Sequence, residues 1–286
     1  MKKTLILALA FMTTGAFAQT TSTATTTEAK AKEKSPFSLR LIDQIGTQIS
    51  EGKNAGFTND LYITPGYKIN DKYSMNFDNM MRTAYSRSSE EATNQYYYST
   101  LNLYRSGILS QKEHGINLSA NARVRAYVHA AVNNIGSTPG YGRVGMTASR
   151  SLTDSLSATL STQYAVYARD NAKASTSSSY LYPYFILSYS ANDKLSFGAT
   201  LEYIRIFKKG TGEMVTDKKG KTSKVYDVES LDLTLEAGYQ FTPKFNLSAS
   251  VGSNLMTSHD KVDQLDNFAD LAKNFNYAVT GVFSVF

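Results

Sequence analysis

The side chains of this sequence that could carry binding chemistry are arginines and carboxylates at alternate positions of apolar segments. Arg123, Arg125 and Tyr127 alternate with small apolar residues, and Arg143 lies in a similar segment. Guanidinium groups bind carboxylates and phosphates through paired hydrogen bonds, so this set favours anionic partners. The full set of candidate residues is Arg40, Arg82, Arg123, Arg125, Tyr127, Arg143, Arg169, Glu202, Asp232 and Glu236. They can act together only if the fold brings them to one surface.

The histidine content argues against catalysis. The only three histidines are His114, His129 and His259, and neither Gly-x-Ser-x-Gly nor His-Glu-x-x-His occurs. A hydrolase triad needs a nucleophile, a base and an orienting group within reach of one another. We therefore predict a protein that is not an enzyme and has no catalytic residues, no metal site and no cofactor.

The N-terminus predicts export. Lys2 and Lys3 precede an apolar run, and Ala16 and Ala18 form a small-x-small cleavage pattern. Residues 1–18 are therefore predicted to be a cleaved signal peptide. Residues 19–36 are Thr-rich and then Lys/Glu-rich, which predicts a disordered periplasmic tail.

Composition leaves two classes of exported protein. The chain has 20 Tyr, 14 Phe, five Pro and no Cys, with a net charge of +6 before the signal is removed. That charge is too low for a nucleic-acid binder. After the signal, no apolar stretch approaches the roughly 18 residues that a membrane-spanning helix needs. A soluble periplasmic protein and a transmembrane β-barrel remain.

The hydrophobic period decides between them. In residues 115–130 every second side chain is apolar and every intervening one is polar, as in a strand with one apolar face. The run is longer than the roughly 5–6 residues of an average soluble strand and is closer to the 9–11 that cross a bilayer at a tilt. The same pattern predicts twelve strands: 37–50, 57–69, 73–87, 95–107, 115–130, 140–151, 156–169, 180–190, 195–207, 225–241, 245–256 and 274–286.

The connections between these segments alternate in length. Short polar turns at 69–73, 152–156, 191–195 and 241–245, with a longer one near 108–114, alternate with longer linkers near 51–56, 88–94, 131–139, 170–179, 208–224 and 257–273. Short periplasmic turns and long extracellular loops are typical of transmembrane barrels. The predicted fold class is thus all-β, an antiparallel transmembrane barrel over residues 37–286 in the bacterial outer membrane.

The C-terminus resembles the targeting signal of Gram-negative outer-membrane barrels, with Phe286 preceded by Val282 and Ala278 on the same parity. This resemblance implies the barrel-assembly machinery as a partner. Ser284 and Thr280 interrupt that parity, so the lipid-facing side of the last strand stays open. Twelve strands with arginines on the inner face also resemble the oligosaccharide-specific porins for oligogalacturonate and sialic acid. The chain contains no local motif of that family.

With the apolar face outward, the candidate residues line a lumen. The sequence predicts a pore for passive diffusion of small polar or anionic solutes, and the alternative is a non-conducting structural or adhesive barrel that acts through its loops. We expect the hairpin to place Arg125 near Gly145 and Arg143 near Tyr127, with the acidic residues about half a turn away. The inner face is expected to be polar along nearly every strand.

Three local features carry further expectations. Asp43 falls on the apolar face of the first strand, so a bulge near Ile42 is expected to hide it. The lysine-rich loop 208–224 is predicted to be solvated, or alternatively to bind lipopolysaccharide phosphates beside the membrane lipid. Residues 260–273 have the spacing of a short amphipathic helix that packs on the rim or covers the mouth.

Overall fold

The computed structural model describes residues 35–50, 53–86, 92–127, 140–168, 177–216, 220, 222–258 and 275–285. The predicted signal peptide, most of the predicted tail, and Phe286 lie outside the described residues. Among the described residues, no helix is long or apolar enough to span a bilayer.

The described chain is built almost entirely of strands. Those of the main sheet are β1 (Phe37–Ser50), β2 (Lys53–Lys68), β3 (Tyr73–Ser86), β4 (Ala92–Leu109), β5 (Asn117–Tyr127), β6 (Gly140–Ser151), β7 (Leu156–Ala168), β8 (Ser177–Ser190), β9 (Leu195–Lys208), β12 (Val228–Thr242), β13 (Phe245–Ser258) and β14 (Phe275–Ser284). Two short strands, β10 (Met214–Thr216) and β11 (Thr222–Lys224), form a separate hairpin in the loop after β9. The four-residue helix α1 (Gln111–His114) lies between β4 and β5.

The twelve strands of the main sheet form a closed barrel. Each strand pairs antiparallel with the strands before and after it in the ring, and β1 pairs with β14 to close the ring. A closed ladder leaves no strand edge with unpaired N–H and C=O groups, which is the condition for a sheet to cross a bilayer. The prediction of a twelve-stranded antiparallel barrel is confirmed.

The two faces of each strand differ as the alternation predicts. Val124 points outward with 64% of its surface exposed, whereas the next residue, Arg125, points inward and is 9% exposed. The same outward apolar face appears at Val144, Leu160 and Leu235. An apolar outer wall around a polar interior is the arrangement of an outer-membrane barrel, so the chain belongs in that membrane.

Aromatic rings gather at the end of the barrel that carries the short turns. Phe37 packs on Tyr67 with ring centroids 5.1 Å apart, and Phe241 stacks on Phe245 at 5.6 Å. At the same end, the centroid of the Tyr73 ring lies 5.8 Å from the guanidinium carbon of Arg105. Rings with an apolar body and a polar edge suit the headgroup region, and this end is the predicted periplasmic one.

Three elements differ from the sequence expectations. β2 begins at Lys53, so the predicted linker 51–56 shortens to two residues between paired strands. The long turn near 108–114 contains α1. In β14 the odd face is the exposed one, with Tyr277, Val279 and Phe283 pointing outward, which resolves the open parity of the last strand.

The expectation of a bulge near Ile42 is wrong. The pairing of β1 with β2 is continuous from Phe37 to Thr47, and the pairing with β14 is continuous over Asp43, so no residue flips the parity. Asp43 therefore lies on the outer wall and is exposed. The prediction assumed that a carboxylate must avoid the lipid face, but a bulge there would have broken two ladders at once.

Candidate functional site on the inner wall

The arginines of β5 and β6 lie side by side on the inner wall. Arg123 is the direct cross-strand partner of Arg143, and Arg125 is the partner of Tyr141. The predicted pairing of Arg125 with Gly145 and of Arg143 with Tyr127 is wrong, because the register is displaced by four residues. The actual register brings two guanidinium groups opposite each other.

Neutral side chains hold two of these arginines in place. Arg125 donates from Nε to the Thr100 hydroxyl at 3.0 Å, and its guanidinium carbon lies 3.6 Å from the centroid of the Tyr98 ring and 5.1 Å from that of Tyr141. Arg123 donates from Nε to the side-chain oxygen of Asn102. Such contacts fix the position of a cation without cancelling its charge.

The charge of this patch is not neutralised by a contacting carboxylate. Within the described part of the chain, Arg123, Arg125 and Arg143 form no ion pair, and Arg143 Nε has no hydrogen-bond partner. Asp78 reaches Arg123 only through Asn102, whose amide nitrogen donates to Asp78 at 2.7 Å. We call Arg123, Arg125 and Arg143 the arginine patch.

The charge of Arg82, another arginine predicted to line the wall, is neutralised. Arg82 donates from Nε and Nη2 to the two carboxylate oxygens of Asp60, each at 2.7 Å, and Asp60 is completely buried. This bidentate pair holds β2 against β3. Arg82 therefore contributes little net charge to the interior, and the arginine patch is the stronger source of positive potential.

The acidic residues lie on β9 and β12. Glu202 is the cross-strand partner of Asp232, which accepts hydrogen bonds from Asn254 at 2.7 Å and Ser230 at 3.0 Å. Glu202 is completely buried, and neither of its carboxylate oxygens has a hydrogen-bond partner in the described chain. Glu236 faces inward nearer the short turns and is half-buried.

The separation between basic and acidic residues is shorter than the predicted half turn. The strands β5 and β6 lie three to five strands from β9 and β12 in a ring of twelve, which is a quarter to five twelfths of the circumference. The strands between them carry Gln163 on β7 and Tyr182 and Tyr184 on β8, all facing inward. The inner wall thus changes from basic to acidic across a short, tyrosine-bearing sector.

Sequence reasoning missed most of the tyrosines of this wall. Tyr141, Tyr180 and Tyr182 are buried inside the barrel, and Tyr127 packs against this group with its ring centroid 6.3 Å from that of Tyr141. The alternation of Tyr180, Tyr182 and Tyr184 in the sequence could have identified these residues as one inward face. The inward position of Tyr98 could not be predicted from the sequence, because a bulge in β4 places Tyr96 and Tyr98 on opposite faces.

The inner face is less uniformly polar than predicted. Ile204, Ile206 and Val228 are buried inside the barrel near the long-loop end, together with the tyrosine cluster. These aliphatic side chains pack with the tyrosines into one apolar cluster inside the barrel. The expectation of polar inner positions on nearly every strand is wrong for this end of β9 and the start of β12.

The remaining predicted residues divide between the wall and the rims. Arg40 occupies an inward position of β1 opposite Thr64 and is half-buried. Lys68, at the short-turn end, is exposed and pairs with Asp71 at 2.6 Å. Arg169 lies outside the described residues.

The lysine-rich loop is anchored at its base. Partial burial favours protonation of Asp227, but hydrogen bonds from the Lys208 backbone N–H (3.0 Å), the Thr211 hydroxyl (2.7 Å) and Arg205 (3.2 Å) outweigh it and lower the pKa of this carboxyl. The Lys208 ammonium also donates to Ser177 at 3.0 Å. Binding of lipopolysaccharide by this loop stays a prediction, and the amphipathic segment 260–273 lies outside the described residues.

The described residues that could support catalysis or metal binding are sparse. His114 is exposed in α1, 3.8 Å from Glu113, and the other two histidines lie outside the described ranges. In those ranges no group of three or more His, Asp or Glu side chains is arranged to hold a metal ion.

The fold and the charged inner wall together define a class, the twelve-stranded outer-membrane barrels. Solved structures of outer-membrane porins and channels are similar to this chain. The NanC porin gives a TM-score of 0.55 at 10% identity, covering 85% of this chain and 98% of that one. The COG4313 outer membrane channel from Pseudomonas putida F1 gives 0.54 at 14% identity, covering 91% and 100%.

The KdgM porin gives a TM-score of 0.49 at 11% identity, with 85% of this chain and 98% of that chain covered. No protein-family model matches the sequence, and no characterised protein matches it at significant similarity. At such low identities the structural similarity establishes the fold, which is that of outer-membrane porins and channels.

Proposed function

We propose that this barrel is a passive pore for small polar solutes and that the arginine patch gives it a preference for anions. The observation that carries the proposal is the arrangement of Arg123 and Arg143 as direct cross-strand partners on the inner wall, without a carboxylate bound to either in the described chain. Like charges directly opposite each other destabilise a sheet. A barrel with a purely mechanical role gains nothing from this arrangement.

The arrangement of the wall explains how a preference for anions would arise. Fixed charges beside a narrow part of a pore set which ions and solutes enter it. The arginine patch attracts anions, and its forked donors suit carboxylates and phosphates. Asp232 on the neighbouring sector, which accepts hydrogen bonds from Asn254 and Ser230, would add a field of the opposite sign that orients a polar solute as it passes. Nothing in this mechanism requires a covalent step, so the barrel needs no catalytic residue.

Conductance in a planar bilayer tests the proposal. Protein refolded in detergent is expected to give discrete conductance steps, and the reversal potential in a salt gradient is expected to show anion preference. Replacing Arg123 and Arg125 with Ser removes two of the three patch charges and should lower the anion-to-cation permeability ratio, shifting the reversal potential toward cation preference.

The matched control is Arg105→Ser, because Arg105 is exposed on the outer side near Tyr73 at the short-turn end. It changes the same charge away from the lumen and should leave the reversal potential unchanged. An unchanged potential in the double variant would show that the patch does not line the path. Absence of conductance from correctly folded protein would favour the alternative, a structural or adhesive barrel that acts through its loops.

A further inference from the structure

The inner wall of β7–β9 carries several buried oxygen atoms that form no hydrogen bond with the described chain. On much of the wall the polar side chains bond one another, as Arg82 does with Asp60 and Arg123 with Asn102. The inward-facing atoms of β7–β9 without such a partner are all oxygens: Gln163 Oε1, the hydroxyl oxygens of Tyr180, Tyr182 and Thr200, and both carboxylate oxygens of Glu202. Buried polar atoms without partners cost stability, so this concentration indicates a bound group that the described wall does not contain.

Two carboxylates lie next to each other in this region. Glu202 on β9 and Asp232 on β12 are direct cross-strand partners whose side chains both face inward, which puts their Cβ atoms roughly 5 Å apart. Neither forms an ion pair within the described ranges. Arg143 is within electrostatic range of the neighbouring Tyr182 but does not reach Glu202. Like charges in this position repel each other, and a buried carboxylate needs a compensating charge.

Neutral oxygens surround the Glu202 carboxylate. The Tyr182 hydroxyl lies beside it, and Thr200 occupies the preceding inward position of β9. Gln163 is the cross-strand partner of Tyr182, and its amide nitrogen points to the Tyr184 hydroxyl at 3.4 Å, which leaves the amide oxygen for another partner. We call the following five residues the oxygen cluster: Gln163, Tyr182, Thr200, Glu202 and Asp232.

The composition of the oxygen cluster suits Ca²⁺ better than other metal ions. Ca²⁺ is bound by about six to eight oxygen atoms from carboxylates, amide carbonyls and similar groups, in a flexible geometry. Two carboxylates also supply the two negative charges that a divalent ion neutralises. Mg²⁺ requires a regular octahedron and usually retains several waters, for which the packed rings of Tyr182 and Tyr184, 5.3 Å apart, leave little room. Zinc prefers nitrogen and sulfur ligands, and the cluster offers oxygen alone.

We propose that the oxygen cluster binds a Ca²⁺ ion, with Glu202 and Asp232 as the charged ligands and the neutral members completing the set. The ion removes the repulsion between the carboxylates and supplies the missing partner of the buried oxygens. Asp232 is only half-buried, so the ion can enter from the interior of the barrel. The sequence analysis predicted no metal site, because the ligands come from four strands that only the closed sheet brings together.

The site has a consequence for the proposed pore. A bound Ca²⁺ cancels the field of Asp232, so the preference for anions is expected to be stronger in Ca²⁺ than in a chelator. Binding of the ion does not itself depend on conduction. A barrel that binds Ca²⁺ without conducting would support the site and refute the pore, and a barrel that conducts without binding Ca²⁺ would do the reverse.

Terbium luminescence tests the site. Tb³⁺ replaces Ca²⁺ in oxygen sites and emits when a nearby aromatic ring is excited, and this chain has 20 Tyr and no Trp. The native barrel in detergent is expected to bind one Tb³⁺ per chain with tyrosine-sensitised emission, and added Ca²⁺ should displace it. Glu202→Gln keeps the shape of the side chain but removes one of the two charges, so the saturable emission should be lost. The control is Glu113→Gln, the same substitution at an exposed position of α1, which should leave the emission unchanged.

A second measurement uses stability, because a ligand that binds only the folded state stabilises it. The urea midpoint of the native barrel is expected to be higher in Ca²⁺ than in EDTA, whereas that of Glu202→Gln should be the same in both. The proposal is overturned if folded native protein gives no sensitised emission, which would mean that Glu202 is buried as a neutral acid. It is also overturned if Glu202→Gln retains the emission. The shift in gel mobility on heating verifies the folding of each variant.

Discussion

At the scale of single residues, the arginines of the inner wall fall into two groups that do different physical work. Arg82 forms a bidentate pair with a buried carboxylate, whereas Arg125 is held by a hydroxyl and an aromatic ring. A bidentate buried pair is strongly destabilised when one member is removed, because the other stays as an unpaired charge. An arginine held by neutral groups keeps its charge, because no carboxylate compensates it.

The pair of Arg82 and Asp60 gives a prediction at this scale. Arg82→Ala is expected to lower the free energy of unfolding by about 3–5 kcal/mol, since it leaves Asp60 buried without its partner. Urea unfolding in lipid vesicles, followed by circular dichroism, measures the change. The double variant Asp60→Leu/Arg82→Met removes both charges and should recover most of the loss. A double variant as unstable as the single one would contradict this account.

At the scale of elements, four turns at one end of the barrel use the same device. A side-chain oxygen accepts hydrogen bonds from the backbone N–H groups two and three residues further on, as Asn192 does from Lys194 and Leu195, both at 2.9 Å. The residues in the equivalent position of the other turns are Asn70, Thr153 and Thr242. The short polar turns in the sequence thus define hairpins through local hydrogen bonds.

Removing this oxygen in one turn should have a moderate and local effect. Asn192→Ala loses two hydrogen bonds, and each contributes about 0.5–1.5 kcal/mol, so a loss of about 1–3 kcal/mol is expected. The measurement is again urea unfolding in vesicles. Asp193→Ala is the control, because this exposed neighbour forms no hydrogen bond with the described residues. Equal losses for both variants would show that the turn is stabilised in another way.

At the scale of the whole molecule, the barrel separates lipid from its interior by one layer of alternating side chains. Leu235 points outward and is 50% exposed, whereas its neighbour Glu236 points inward and pairs across the sheet with Ser250. Because successive side chains point to opposite faces, a strand that slid by one residue would reverse both of its faces.

A matched pair of lysine substitutions tests this separation of lipid-facing and inward-facing positions. Leu235→Lys places a charge against lipid and should destabilise the inserted barrel by about 2–4 kcal/mol. Ser250→Lys places the same charge inside, opposite Glu236, and should cost far less. Unfolding from vesicles gives both values, and the assignment of inner and outer faces on β12 and β13 would be refuted if Ser250→Lys were the more harmful substitution.

The sequence alone determined the class of fold, the number of strands and most of their bounds. The strands β1 and β6 run over Phe37–Ser50 and Gly140–Ser151, which are the bounds that the alternation predicts. The prediction succeeds because the alternation of the two faces is a local property of a strand. Successive side chains point to opposite sides, and lipid and water favour opposite residue types. The turns are also local, because their side chains bond their own backbone.

Only the tertiary structure decided the register and everything that follows from it. It set Arg123 opposite Arg143, kept Asp43 on the outer wall and brought Tyr98 inward beside Arg125. The physical reason is that a register is fixed by the pairing of all twelve strands at once. A single hairpin with a long loop contains no such information, and one bulge reverses the parity of everything beyond it.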